Sequence, residues 1–199
     1  MSRVVKAPRI RRKELIDAAM ELFSEKGFYN TAVSDIVKRV GVAQGTFYYH
    51  FPSKNSIADA LVDRYVNPLI KRISSIAGDS SIDVAARLNA ILDMLFESME
   101  SHRPLLKLLV LPINDFLHSR FQDRFQDRAF PIFESLLNEG IQSGQFETDH
   151  PEETVQITLA AIAHLTRSHV VKTSRDHISH LRSALRIMLF RSLGYKDFA

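Results

Sequence analysis

The sequence of 199 residues contains no cysteine and no tryptophan. Without cysteine there is no disulfide framework, no thiol nucleophile and no cysteine-ligated zinc or iron–sulfur site. Long apolar runs are also lacking, because the longest, from Leu105 to Ile113, is short and is interrupted by Lys107. The N-terminal segment MSRVVKAPRIRRK is basic and has no apolar stretch like that of a signal peptide. We therefore expect a cytoplasmic protein with no membrane-spanning helix.

Charge is distributed unevenly along the chain. Residues 1–54 hold ten Lys and Arg against five Asp and Glu, a balance of +5, whereas residues 55–199 hold sixteen against eighteen, a balance of −2. A basic N-terminal segment on a nearly neutral body predicts a polyanionic partner, with nucleic acid first and an anionic membrane surface second. A solvated tail would have the same composition. The six basic residues that precede the first acidic one are Arg3, Lys6, Arg9, Arg11, Arg12 and Lys13.

Apolar residues recur at the three- to four-residue spacing of amphipathic helices along most of the chain, and strand patterns are nearly absent. The fold is therefore predicted to be all-α, with about nine helices. Ser53 is placed to cap the fourth helix, and Pro68 is expected to kink or end it. The predicted helices are approximately 9–26, 33–40, 44–50, 54–76, 84–99, 104–111, 116–143, a helix from Pro151, and 178–194.

The segment from Thr31 to Lys54 predicts a helix-turn-helix, in which the second helix enters the major groove of DNA. Gly41 suits the turn, and Gly45 lets the backbone approach DNA closely. The remaining polar residues divide by reach. Gln44, Thr46 and Tyr48 are suited to base edges, whereas Thr31, Tyr49, His50 and Lys54 are suited to phosphate oxygens.

The string GVAQGTFYYHFPSK, with the helix AAMELFSEKGFYNTAVSDIVKRV before it, resembles the signature of the TetR family of transcriptional regulators. The resemblance covers about residues 11–62. It implies an N-terminal three-helix DNA-binding domain (1–53) and a C-terminal helical bundle (54–199) that binds ligand and forms a dimer. It also places Thr31, Gln44, Thr46, Tyr48, Tyr49, His50 and Lys54 at DNA-facing positions. Two residues depart from the usual pattern, Ala32 after Thr31 and Ala43 at the start of the recognition helix.

The C-terminal region is expected to hold the effector site and the dimer interface. Candidate effector contacts share a bulky apolar side chain on a helix, a property that core residues share as well: Met94, Phe96, Met99, Leu106, Leu109, Phe116, Phe121, Phe125 and Phe133. The last two helices have broad apolar faces with small alanines and are the best candidates for a homodimer interface. Five histidines lie between residues 150 and 180 but do not form a recognisable metal-binding motif, so we expect no metal and no cofactor.

The sequence thus predicts a homodimeric, ligand-responsive regulator that binds double-stranded operator DNA, most simply a repressor. Its effector would be a small apolar or amphipathic molecule. Two alternatives belong to other classes, an all-helical enzyme and a basic protein of the membrane surface. The enzyme is disfavoured because nucleophile–base–carboxylate arrangements, phosphate-binding glycine loops and HExxH motifs are missing.

Overall fold

A computed structural model describes residues 7–172 and 175–195, and every regular element within these ranges is a helix. None of the described helices is long and apolar enough to cross a membrane. The elements in chain order are α1 (Pro8–Lys26), α2 (Val33–Val40), α3 (Gln44–His50), α4 (Lys54–Ala77), α5 (Val84–Ser101), α6 (Arg103–Val110), a 3-10 turn (Pro112–Asn114), α7 (Asp115–Gln142), α8 (Pro151–Lys172) and α9 (Arg175–Ser192).

The helix ends follow local chemistry. The Ser53 hydroxyl accepts the Ser56 N–H at 3.1 Å, which confirms the predicted cap of α4. Asp83 caps α5 in the same way, through the Ala86 N–H at 2.7 Å. At the C-terminal end of α2, Gly41 adopts the left-handed conformation (φ 73°) and donates its N–H to Lys38 O at 3.2 Å.

The sequence predicted that Pro68 would kink or end α4. The helix continues through Pro68, so the proline does not end it. A proline removes one N–H from the helical ladder and disfavours the helical interior. Burial on both sides of the proline compensates for this loss, because Val66, Leu69 and Ile73 form a helical stripe with almost no solvent exposure.

The chain forms two compact units whose limits differ from the predicted division after residue 53. The first unit comprises the described residues up to Tyr65 together with Leu108–Phe121; it contains the helices predicted from the sequence to bind DNA and is called here the DNA-binding unit. The second, called the bundle unit, comprises Val66–Lys107 and the described residues from Gln122 onward. A stretch of fourteen residues from the middle of the chain therefore belongs with the N-terminal helices.

The bundle unit is organised around α5, which is buried on nearly all sides. Among the described residues of this unit, Arg87 is the one buried cation. The Arg87 guanidinium donates to Ala77 O at 2.8 Å and forms a bidentate pair with the Glu139 carboxylate. The pair lowers the pKa of Glu139, so this carboxylate remains charged and neutralises the buried guanidinium.

Candidate nucleic-acid interface

Helices α2 and α3 form the predicted helix-turn-helix. Gly41 supplies the left-handed residue of the turn, and the next N–H, from Val42, returns to Val37 O at 3.0 Å. A side chain at position 41 would strain this backbone conformation, although no other atom lies within 4 Å of the position that its Cβ would take. The turn therefore requires glycine for its backbone and not for lack of space.

Phe47 anchors the recognition helix α3. Its ring has no solvent exposure and lies 5.8 Å from that of Phe51, which is also buried. Ile36 and Val37 of α2 are buried in the same unit. Because a seven-residue helix makes only about two turns, one inward-facing ring determines which side of α3 faces outward.

The outward side of α3 carries most of the residues predicted to bind DNA. Gln44, Gly45, Tyr48 and Tyr49 are exposed, and Thr46 and His50 are half-buried. Tyr48 is 51% exposed and Tyr49 77% exposed, an unusual surface for two consecutive aromatic side chains. A Cβ at Gly45 would meet nothing within 4 Å, so no contact within the chain requires a glycine there.

Cationic side chains of α1 lie close to the end of α3. The Arg12 guanidinium stands 4.8 Å from the centre of the Phe51 ring. Burial lowers the pKa of His50, and the positive charges of Arg12 and Arg11 lower it further. The imidazole is therefore held toward its neutral form beside these arginines. Of the predicted basic segment, Arg3 and Lys6 lie outside the described residues.

Thr31 is turned inward, which corrects its assignment as a phosphate donor. The residue is buried, and its hydroxyl donates to Gly27 O at 2.8 Å. It thereby satisfies a carbonyl just beyond the C-terminal end of α1, where helices leave acceptors unpaired. The threonine stabilises the connection between α1 and α2 and does not present its hydroxyl at the surface.

Lys54 is half-buried, and its ammonium is bound by carbonyls of the same connection. Its ammonium donates to Phe28 O at 2.8 Å and Thr31 O at 2.9 Å, with a third contact to Tyr29 O at 3.4 Å. The same nitrogen lies 4.4 Å from the centre of the Phe28 ring. Burial lowers the pKa of Lys54. Three acceptors match the three protons of an ammonium, so the geometry is that of an internal clamp.

A network of ion pairs fixes α2 against α1. Arg39 binds the carboxylates of Glu21 and Glu25, each at 2.9–3.0 Å, and Lys26 binds Asp35 at 2.6 Å. Asp35 also accepts the Ala32 N–H at 2.9 Å, at the beginning of α2. Sequence reasoning missed these pairs because the partners are separated by nine to eighteen residues, beyond the spacing of neighbours on one helix.

The nine residues predicted to contact an effector divide between the two units. Leu109, Phe116 and Phe121 belong to the DNA-binding unit, and the Phe116 ring stacks on Phe28 at 4.2 Å. The others are buried in the bundle unit: Met94, Phe96, Met99, Leu106, Phe125 and Phe133. Met94 and Phe96 lie about 200° apart around α5, so the two side chains face different neighbours.

One cavity in the bundle unit has a volume of about 460 Å³ and is lined by Asp83, Gly144, Gln145, Phe146, Glu147, Gly194 and Tyr195. None of these residues was predicted to contact an effector. Among the described residues no group of three His, Cys, Asp or Glu is placed to hold a metal ion. The side chains of His169 and His177 lie outside the described part of the chain.

Comparisons with known proteins agree with this geometry. Residues 15–61 match the model of the family described as bacterial regulatory proteins, tetR family. The uncharacterized HTH-type transcriptional regulator YvdT of Bacillus subtilis is 35% identical over 188 residues, covering 92% of this chain and 94% of that protein. The HTH-type transcriptional repressor KstR2 of Mycobacterium tuberculosis is 31% identical over 155 residues, covering 75% of this chain and 76% of its own length.

Two solved structures share the fold. The fatty acid degradation regulator FadR from Bacillus halodurans has a TM-score of 0.73 at 22% identity, covering 96% of this chain and all of that one. FadR from Bacillus subtilis, solved with stearoyl-CoA, has a TM-score of 0.71 at 22% identity, with 90% and 98% coverage. The exposed face of α3, the helix-turn-helix that holds it and the relatives of nearly full length lead to one conclusion: the chain belongs to the TetR family and is a DNA-binding transcriptional regulator, not an enzyme.

Proposed function

We propose that the protein is a cytoplasmic repressor that binds a near-palindromic DNA operator as a homodimer and leaves it when a small molecule binds. The observation that carries the proposal is the outward face of α3, where Gln44, Tyr48 and Tyr49 are exposed around the buried Phe47. A repressor is favoured over an activator because the relative KstR2 is described as a repressor.

On the operator, Gln44, Thr46 and Tyr48 are assigned to base edges, and Tyr49 and His50 to phosphates. The amide of Gln44, at the first position of α3, is suited to bidentate contact with a base. Gly45 leaves room for the DNA backbone beside it. Phosphate contacts set the register of the helix, and base contacts set the sequence.

The homodimer is assigned to α8 and α9, which leave apolar stripes on their surfaces. Ile157 is 62% exposed on α8, and Ala160 and Ala161 follow at helical spacing. Met188 is 52% exposed on α9, next to the exposed Ile187. Exposed apolar side chains in helical register are typical of interfaces. A two-fold dimer presents two recognition helices about one DNA turn apart.

The effector is assigned to the bundle unit, whose buried Met and Phe side chains favour an apolar or amphipathic molecule. The stearoyl-CoA held by FadR of Bacillus subtilis is amphipathic, which supports this chemical class. Release from DNA requires that the effector bind the DNA-incompetent state more tightly. A tenfold loss of operator affinity needs about 1.4 kcal/mol of such coupling.

The proposal is tested by selecting bound sequences from a random DNA library with the purified full-length protein. We expect a near-palindromic consensus, and an affinity for it that falls steeply with salt because phosphate neutralisation releases counterions. Absence of any enriched sequence, or a flat salt response, would contradict the proposal.

Repeating the selection with two α3 variants tests the assigned roles. Gln44→Ala should change the preferred bases at one position of each half-site, whereas Tyr49→Ala should weaken binding to all sequences alike. If Gln44→Ala lowered affinity and left the consensus unchanged, its assignment to a base edge would be wrong.

A further inference from the structure

The connection between α1 and α2, residues 27–31 and called here the α1–α2 turn, is bound by a residue from far along the chain. Asn114, at the end of the 3-10 turn, is fully buried. Its Oδ1 accepts the Phe28 N–H at 2.9 Å. Its Nδ2 donates to Phe23 O at 3.2 Å and to Leu108 O at 3.1 Å. Both donor protons and the acceptor of the amide are therefore used.

Apolar contacts from the same segment also hold the α1–α2 turn in place. The Phe116 ring lies parallel to Phe28 at 4.2 Å, with an interplanar angle of 7°. Ile113 approaches Gly27 so closely that a Cβ there would come within 2.4 Å of its Cγ1. Gly27 also has a positive φ of 84°, so both backbone conformation and space require glycine at this contact. Asn114, Ile113 and Phe116 thus meet consecutive residues of the turn.

Lys54 binds the same turn through Phe28 O and Thr31 O. The turn leads directly into Ala32, which immediately precedes α2, and α2 is joined to α3 by the Gly41 turn. A displacement of the α1–α2 turn would therefore displace the start of the helix-turn-helix. Every contact in this chain of positions lies within the DNA-binding unit.

We propose that Asn114 is a positioning residue for operator recognition. It contacts no DNA; it holds the α1–α2 turn at the position from which α3 presents its outward face. The proposal rests on the assignment of α3 as the operator-reading helix. It also gives a function to Leu108–Phe121. This segment begins about sixty residues after the helix-turn-helix, a separation comparable to the length of a small domain.

The structure predicts which kind of DNA binding should change. Base contacts require donors and acceptors at fixed positions, so a shifted α3 loses them. Binding to non-specific DNA depends on phosphate neutralisation and tolerates such a shift. Loss of the Asn114 contacts should therefore lower the ratio of operator affinity to non-specific affinity, which simple loss of folded protein cannot do.

Two substitutions separate the contacts. Asn114→Asp keeps an acceptor for the Phe28 N–H, but it replaces the two donated hydrogen bonds with a carboxylate facing two carbonyls. Asn114→Ala removes all three bonds. Phe116→Leu provides a milder change at the same turn, because it keeps apolar volume and removes the ring stacked on Phe28. This third variant keeps the test available if the asparagine variants fail to fold.

Thr158→Val is the matched control. Thr158 is buried in the bundle unit, where its hydroxyl donates to Thr154 O at 2.7 Å. The variant loses one buried hydrogen bond at nearly constant volume and makes no change in the DNA-binding unit. Its unfolding temperature is expected to fall, while its affinity ratio stays equal to that of the wild type.

Fluorescence anisotropy with the selected operator and with a scrambled duplex measures the two affinities. The temperature is set well below every unfolding midpoint, and active protein is counted by stoichiometric titration. We expect the ratio to fall roughly tenfold in Asn114→Asp and Asn114→Ala, the loss associated with one good base contact. A smaller fall is expected in Phe116→Leu. Ratios equal to that of the wild type in all three variants would overturn the role of Asn114, whereas a wild type without operator preference would overturn the proposed function itself.

Discussion

Two polar residues of the signature segment show how residue type alone misleads. Thr31 and Lys54 have the donors that phosphate contacts need, and the sequence places both beside the recognition helix. In the structure the Thr31 hydroxyl is bound to Gly27 O, and the Lys54 ammonium to Phe28 O and Thr31 O. A donor in a sequence has no direction, and the fold decides whether it meets a phosphate or a carbonyl.

Lys54→Met tests the clamp. Three carbonyls lose their shared donor, so we expect a lower unfolding temperature and weaker operator binding. The slope of log affinity against log salt should stay unchanged, because an ammonium bound within the chain releases no counterion from DNA. Thermal unfolding and anisotropy titrations over a salt series provide both measurements.

Lys71→Met removes the same charge from an exposed position of α4 in the bundle unit and serves as the control. Its unfolding temperature and operator affinity should stay near those of the wild type. A decrease of about 1 in the salt slope for Lys54→Met would show instead that Lys54 contacts a phosphate.

At the scale of elements, the ends of the short helices determine how well the DNA-reading face is ordered. Helix α3 has seven residues and begins after Ala43, whose methyl group accepts no hydrogen bond. Helices of this length are marginal on their own, because nucleation is costly. The stability of α3 therefore depends on the burial of Phe47 and on whatever satisfies its first N–H groups.

Ala43→Ser should stabilise the protein. Position 43 has the extended backbone conformation of an N-cap (φ −72°, ψ 151°) and is exposed, so a serine hydroxyl can accept an N–H of the first turn. The expected gain is about 1 kcal/mol in the free energy of unfolding, measured by urea denaturation. Ala43→Val, which has no acceptor, should give no gain; equal stabilisation by both variants would contradict the capping explanation.

The contact between α1 and α2 should weaken in acid. The hydrogen bond from Lys26, and then that from the Ala32 N–H, lower the pKa of Asp35. The folded state thus keeps this carboxylate ionised where the unfolded chain binds a proton, so its contribution is present above about pH 4 and is lost as pH falls through the folded pKa.

The measurement is the unfolding temperature of wild type and Asp35→Asn between neutral pH and pH 2.5. The wild type should be more stable at neutral pH, and the difference should shrink in acid as its own carboxylate is protonated. A difference that stays constant over this range would show that the charge of Asp35 does not contribute.

At the scale of the whole molecule, the proposed dimer gives the operator its two-fold symmetry. Light scattering should give roughly twice the chain mass of 22.7 kDa. Charges at the apolar stripes, introduced together as Ile157→Glu and Met188→Glu, should yield a monomer. Operator affinity should then fall steeply, because each monomer holds only one recognition helix.

Ile82→Glu is the matched control, since Ile82 is an exposed isoleucine that precedes α5 and belongs to neither α8 nor α9. It should remain dimeric and bind the operator normally. If the double variant remained dimeric, the dimer interface would have to lie outside these stripes.

The helices, the helix-turn-helix and the family could be predicted from the sequence because they depend on residues close together in the chain. Apolar residues that recur every three or four positions indicate a helix. Gly41, Ser53 and Pro151 mark helix ends through their own backbone and side-chain chemistry. The charge balance of +5 over residues 1–54 likewise predicted a polyanionic partner for this end of the chain. The grouping of Leu108–Phe121 with the N-terminal helices was not accessible in this way.

The sequence by itself determined an all-helical DNA-binding regulator, since apolar spacing within a helix and the residues of the helix-turn-helix are local properties of the chain. Only the tertiary structure decided that the Thr31 hydroxyl and the Lys54 ammonium bind backbone carbonyls and that Leu108–Phe121 joins the DNA-binding unit. The contact of Asn114 with Phe28 spans 86 residues. Such a contact leaves no periodicity in either segment, because its partners meet only after the intervening chain has folded.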